Sequence, residues 1–124
     1  VPVGTSYIPH SKKERGDEDP NFRHPVQLEK SSLAGRAVNM PAGGLLMTNS
    51  SHHQAIHPGK IGADLRASAW SQDGVTEAIE PSDGSPWALS GRFILGVQWH
   101  PEQMQEDGPQ RNIFRALIHA AQKK

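Results

Sequence analysis

An α/β domain is the fold class this sequence predicts. Three observations predict it: short apolar runs bounded by turn-forming residues, two adjacent alternating segments that read as a hairpin, and a carboxyl-terminal segment with apolar residues at helical spacing. Residues 10 to 24, HSKKERGDEDPNFRH, mix both charge signs with a proline and no period, which reads as an exposed loop and not as a binding tail. His24 to Leu28 opens a strand, and Ser31-Ser32 offers an N-cap to a short helical turn from Leu33 to Arg36. Gly44 to Thr48 is a second short strand, which delivers the polar cluster Asn49-Ser50-Ser51-His52-His53-Gln54 at its end. From Leu65 to Trp70 the chain alternates, with Leu65, Ala67 and Ala69 on one side and Arg66, Ser68 and Trp70 on the other. Gln72-Asp73-Gly74 then supplies a turn and Val75 to Glu80 the partner strand. After a loop at Pro81 to Pro86, Arg92 to Trp99 is a nearly continuous apolar run and reads as a buried strand. Gln110 to Gln122 places Ile113, Phe114, Leu117, Ile118 and Ala121 on one helical stripe suited to packing on a sheet, and Lys123 and Lys124 complement its carboxyl end.

The 124 residues suffice for one domain, which can bury roughly two thirds of its unfolded surface. With 13 basic and 13 acidic residues there is no electrostatic footprint for nucleic acid or an anionic membrane, so small neutral or zwitterionic ligands fit better. No run approaches the roughly 18 apolar residues of a membrane span, and VPVGTSYIPH lacks a basic segment followed by an apolar one. A soluble cytoplasmic protein is expected. The sequence contains no cysteine, which removes disulfides, thiolate metal sites and a thiol nucleophile.

The most informative stretch is GVQWHPE, residues 96 to 102. Pro101 has no N–H and pushes His100 toward extended geometry where ladder bonding stops. Residues two apart in extended chain point the same way, so the His100 imidazole and the Glu102 carboxylate can pair as a general base and its orienter. Taken alone, three such residues read first as a solvated turn with an idle ion pair. Their position just past a strand end, where open α/β sheets place their sites, makes them a candidate.

Other constellations carry less. His53 and His57 have the spacing of a helical ligand pair, but Pro58 and Gly59 interrupt any helix and no third ligand is spaced nearby. A metal-dependent hydrolase using His52, His53, His57 or His100 is therefore the weakest reading, and no metal or other cofactor is expected. His52-His53 read locally as a turn or helix start with one ring on the backbone. Trp70, Trp87 and Trp99 are expected in core packing. Glu77 and Glu80 fall on opposite sides of their strand and make a poor acid/base pair.

Taken together, NSSHHQAI (49 to 56), the hairpin ending DGVTEAIE and GVQWHPE resemble the carboxyl-terminal half of the class I glutamine amidotransferase-like hydrolases, especially the γ-glutamyl-γ-aminobutyrate hydrolase branch. The likeness runs from about His24 to the final helix, with residues 1 to 23 mostly loop. It implies that residues 1 to 124 are part of a flavodoxin-like domain with a mixed sheet and a carboxyl-terminal packing helix. It also implies a Cys-His-Glu triad acting through a γ-glutamyl thioester, with His100 as base and acid and Glu102 as its orienting carboxylate. Ser51, His53 and Gln54, with His52 as neighbour, would border the glutamyl moiety of a γ-glutamyl amide substrate.

The departure from the family is the nucleophile. With no cysteine, and without the first parallel strands and the oxyanion-hole loop, two triad members cannot run the covalent mechanism alone. The favoured expectation is a fragment or split subunit, inactive by itself, that needs a cysteine-bearing amino-terminal half. The alternative is a non-catalytic remnant that binds γ-glutamyl ligands or a protein. Half of a doubly wound sheet also leaves strand edges and a helix-facing surface bare, which predicts self-association.

Overall fold

The structure, a computed structural model, describes residues 23–50, 56–57, 60–104 and 106–122. Five strands are present: β1 (His24–Leu28), β2 (Gly44–Thr48), β3 (Leu65–Ser71), β4 (Thr76–Pro81) and β5 (Gly96–Val97). Helices α1 (Leu33–Ala37), α2 (Pro86–Leu89) and α3 (Gly108–Gln122) and a 3₁₀ turn at Pro101–Gln103 complete the described chain. The strand order is β2-β1-β3-β4-β5, and every ladder among these strands is antiparallel. The sheet curls, and the parallel strands that would make it mixed are not among those described.

Alternation sets the sheet's inner face. In β1, His24, Val26 and Leu28 are buried while Gln27 is exposed; in β2, Leu46 and Thr48 are buried while Leu45 and Met47 are exposed. Val26, Leu28, Leu46, Ala69, Ala78 and Trp99 from the sheet side meet Ala34, Val38 and Ile113 from the helices in one core. The β3–β4 hairpin turns at Gln72-Asp73-Gly74 as expected, closed by Ser71 N–H on Val75 O at 3.0 Å and by a Ser71 hydroxyl bond to the buried Asp73 carboxylate.

Ser32 is the N-cap of α1, its Oγ accepting from Gly35 N at 2.9 Å. Gly35 is required there, because a Cβ would lie 2.7 Å from Met40 O and 3.2 Å from Ser32 Oγ. The second cap comes from far along the chain. Buried Glu80 of β4 accepts from Leu33 N at 2.7 Å and Ala34 N at 3.0 Å, and Arg66 Nη2 lies 3.2 Å from the same carboxylate. Otherwise-orphaned helix donors and a guanidinium thereby offset the cost of burying the charge. This is the structural role of Glu80. Glu77, fully buried, lies 3.8 Å from His24 Nε2 across the sheet.

Three expectations are corrected. The run Arg92 to Trp99 forms ladder structure only at Gly96–Val97. Continuing the register Ile79↔Gly96 backwards would set Ile94 against Pro81, which has no N–H to give. Forwards, one more bond forms from Gln98 N to Glu77 O at 2.8 Å, and then Ile56 bridges Thr76. Gly96 suits the close approach of the strands, since a Cβ there would sit 3.2 Å from Ile79 Cγ1. Secondly, the helical stripe is only half used: Ile113 enters the core, whereas Leu117 and Ile118 are exposed. α3 packs on α1 and the 3₁₀ turn, and Leu117 and Ile118 lie on the part of its surface left uncovered among the described residues. Thirdly, Trp99 is buried as expected but Trp87 is 47% exposed on the short α2.

Candidate active site

β5 and the bonded Gln98 lead into Trp99 and His100, and Pro101 then opens the 3₁₀ turn, fixed by Gln103 N on His100 O at 3.0 Å and Met104 N on Pro101 O at 2.9 Å. His100 has φ −113° and ψ 81°, extended in φ, as a residue before proline must be. Its Nδ1 lies 2.8 Å from Glu102 Oε2, so the paired geometry expected from the sequence is present. A carboxylate only accepts, which places the hydrogen on Nδ1 and leaves the Nε2 lone pair as the basic atom. The side chains are 40% and 53% exposed, and among the described residues no hydrogen bond engages Nε2.

Electrostatics favour the same arrangement. Partial desolvation pushes the Glu102 carboxyl up, but its own backbone N–H and the bond and charge of His100 outweigh that and hold it below the usual carboxylate range. Glu102 therefore stays ionised and keeps its hold on the ring near neutral pH.

Two polar residues that sequence reasoning passed over build the support. Asn49, which directly follows β2, is buried and grips the His100 backbone twice: Nδ2 donates to His100 O at 2.9 Å and Oδ1 accepts from His100 N at 2.8 Å. Gln110 of α3, with no exposed surface, accepts from the Trp99 indole Nε1 at 2.8 Å and donates through Nε2 to Met47 O at 2.9 Å. β2 and β5 are the two edges of the strand order, so these side chains tie opposite edges of the curled sheet together at the candidate site. The available signal was the position of Asn49 at a strand end; Gln110 on an otherwise apolar stripe was another.

The two polar clusters are therefore brought together at Asn49 and His100. The other predicted site residues, Ser51, His52, His53 and Gln54, lie outside the described residues. Of the candidate metal ligands, His57 is described and exposed. Hollows of about 390 Å³, bounded by Arg23, Glu102, Gln103, Met104, Glu106 and Asp107, and of about 440 Å³, bounded by Glu102, Glu106, Arg111 and Phe114, open beside the carboxylate. A hollow of about 430 Å³ between α1, the Pro81 to Phe93 segment and α3 includes neither His100 nor Glu102.

Among the described residues no helix is long and apolar enough to cross a membrane. Comparison with known proteins bears on the chemistry. Residues 3–102 match the peptidase C26 family. The chain is 38% identical over 98 residues to a glutamine amidotransferase-like protein of Rickettsia prowazekii, covering 79% of this chain and 31% of that protein. It is 33% identical over 100 residues to the γ-glutamyl-γ-aminobutyrate hydrolase of Escherichia coli K12, covering 80% of this chain and 35% of the enzyme. A protein of Mycobacterium tuberculosis that bears a glutamine amidotransferase name is 44% identical over 71 residues, 56% of this chain and 19% of that protein. The chain thus spans about a third or less of the length of these relatives. Its sheet and carboxyl-terminal helix are consistent with part of a flavodoxin-like amidotransferase domain. With the family match covering most of the chain and a histidine–carboxylate pair held at a strand end, the chain belongs to the peptidase C26 family of class I glutamine amidotransferase-like proteins.

Proposed function

We propose that these 124 residues carry the base and the orienting carboxylate of a γ-glutamyl amide hydrolase with a Cys-His-Glu triad, the attacking thiol coming from polypeptide outside them. The observation that carries the reading is the 2.8 Å His100–Glu102 bond, which leaves Nε2 as the basic atom. The printed name of the Escherichia coli relative supports a γ-glutamyl amide as substrate class. The sequence has no cysteine, so the chain alone is inactive in this account. A cytoplasmic setting suits the reading, because the thiol must stay reduced.

In this mechanism the cysteine Sγ gives its proton to His100 Nε2 and the thiolate attacks the γ-carbonyl carbon of the substrate. The tetrahedral intermediate collapses as His100 returns that proton to the leaving amine, and a γ-glutamyl thioester remains. Water then loses a proton to Nε2 and attacks the thioester, and the proton passes to the departing sulfur, releasing glutamate and the thiol. Glu102 stabilises each imidazolium formed and holds the ring in one tautomer. Ser51, His52, His53 and Gln54 border the glutamyl group.

The test is to mix the chain with a cysteine-bearing amino-terminal portion of a relative, verify complex formation, and measure amine release from γ-glutamyl amides. Turnover by the complex and by neither part alone is expected. A verified complex without turnover overturns the split-enzyme reading, and saturable binding of γ-glutamyl compounds to the chain alone would then favour a non-catalytic ligand-binding module.

A further inference from the structure

We propose that Asn49 is the positioning residue of His100, setting the backbone from which the ring reaches Glu102; this rests on the reading of His100 as the base. One planar carboxamide bonds both the N–H and the C=O of His100, at 2.8 and 2.9 Å, as a neighbouring strand would. The described strand ladder ends at Val97, with a last backbone bond at Gln98, so His100 lies where sheet partners run out. Asn49 takes their place with a side chain.

The residue type follows from the geometry. Only a carboxamide offers a donor and an acceptor at this separation: aspartate lacks the donor, serine has a single oxygen, and glutamine is one methylene too long for a buried site. Asn49 Nδ2 also lies 3.5 Å from Gln103 Oε1, so the 3₁₀ turn that carries Glu102 is gathered to the same amide. Glu102 is two residues from His100, and the ring meets it only if the His100 peptide planes are correctly turned.

A merely structural tie would affect stability and nothing else, so the test reads the ring. In the full chain labelled with ¹⁵N-histidine, long-range ¹H–¹⁵N NMR at alkaline pH should show His100 as one tautomer, protonated on Nδ1. Asn49→Ala should largely collapse the difference between the two ring-nitrogen shifts, and Asn49→Asp, which restores only the acceptor, should recover part of it. Leu28→Val, a core change at the far end of β1, should lower the unfolding temperature and leave the ring pattern intact. Asn49→Ser replaces Asn49→Ala if the latter does not fold. A folded Asn49→Ala or Asn49→Ser chain with the wild-type tautomer, or equal loss of the pattern in Leu28→Val, overturns the proposal. Either result leaves the hydrolase reading standing, whereas a wild-type ring without the Nδ1–H tautomer counts against that reading first.

Discussion

Gln110→Leu is the perturbation whose cost can be worked most directly from the structure. The carboxamide makes two bonds, a buried one to the Trp99 indole at 2.8 Å and a part-buried one to the Met47 carbonyl at 2.9 Å. Each is worth about 1 kcal/mol net, and stranding the buried Trp99 indole N–H costs about 1–3 kcal/mol. Leucine restores apolar contact and offsets some of this, so a loss of about 2–4 kcal/mol is expected. In a domain of ordinary stability, with a mid-range urea slope of about 2 kcal/mol per molar, the unfolding midpoint should fall by about 1–2 M. Circular dichroism at the helix band follows the transition without relying on the tryptophans. Trp99→Phe removes the other partner, and the double variant should lose less than the sum of the singles by about 1 kcal/mol, the coupling of residues that share a bond. A Gln110→Leu chain within about 0.5 kcal/mol of wild type, or a strictly additive cycle, would refute the bridge as a stabilising tie between the sheet edges.

Glu80→Ala should cost about 3 kcal/mol or more by urea unfolding, since it removes both donors' acceptor at α1 and leaves Arg66 half-buried without its main partner. Thr48→Val should be neutral or stabilising by the same measurement, because the buried Thr48 hydroxyl has no hydrogen-bond partner among the described residues. The lowered carboxyl of Glu102 gives a signed pH dependence: its stabilisation is present above the unfolded carboxylate value and is lost as pH falls through the lower folded one. The pair is half exposed, so the increment is about 0.2–1 kcal/mol, visible as a shallower acid-side loss in Glu102→Gln than in wild type. Light scattering on the isolated chain should show self-association, driven by exposed Leu45, Met47, Trp87, Leu89, Leu117 and Ile118; a clean monomer would count against an uncovered apolar surface.

What was legible in the sequence is what short-range patterns encode. The Gln72-Asp73-Gly74 turn, the Ser32 cap and the His-Pro-Glu break all act within a few residues, and the structure places each where local chemistry predicts. The supports of the site were not legible. Asn49 and His100 are 51 residues apart, Glu80 and Leu33 47, Gln110 and Met47 63, and while the strand end at Asn49 and the apolar stripe around Gln110 mark two of these residues, nothing local names the partner of any. Phe93 to Leu95 misled for the converse reason. Their apolar character reports the partial burial these residues have, while ladder formation depends on what the neighbouring strand presents, and Pro81 presents no donor. The stripe on α3 likewise reports a face that wants covering, and Leu117 and Ile118 remain exposed.

The central claim is that His100 acts as the base for a thiol held by another stretch of polypeptide. Its most direct test compares amine release from a γ-glutamyl amide by the complemented complex containing wild-type chain with that containing His100→Asn, at equal occupancy. The account predicts a fall of about a thousandfold in kcat on losing the base. Undiminished turnover with His100→Asn would contradict it.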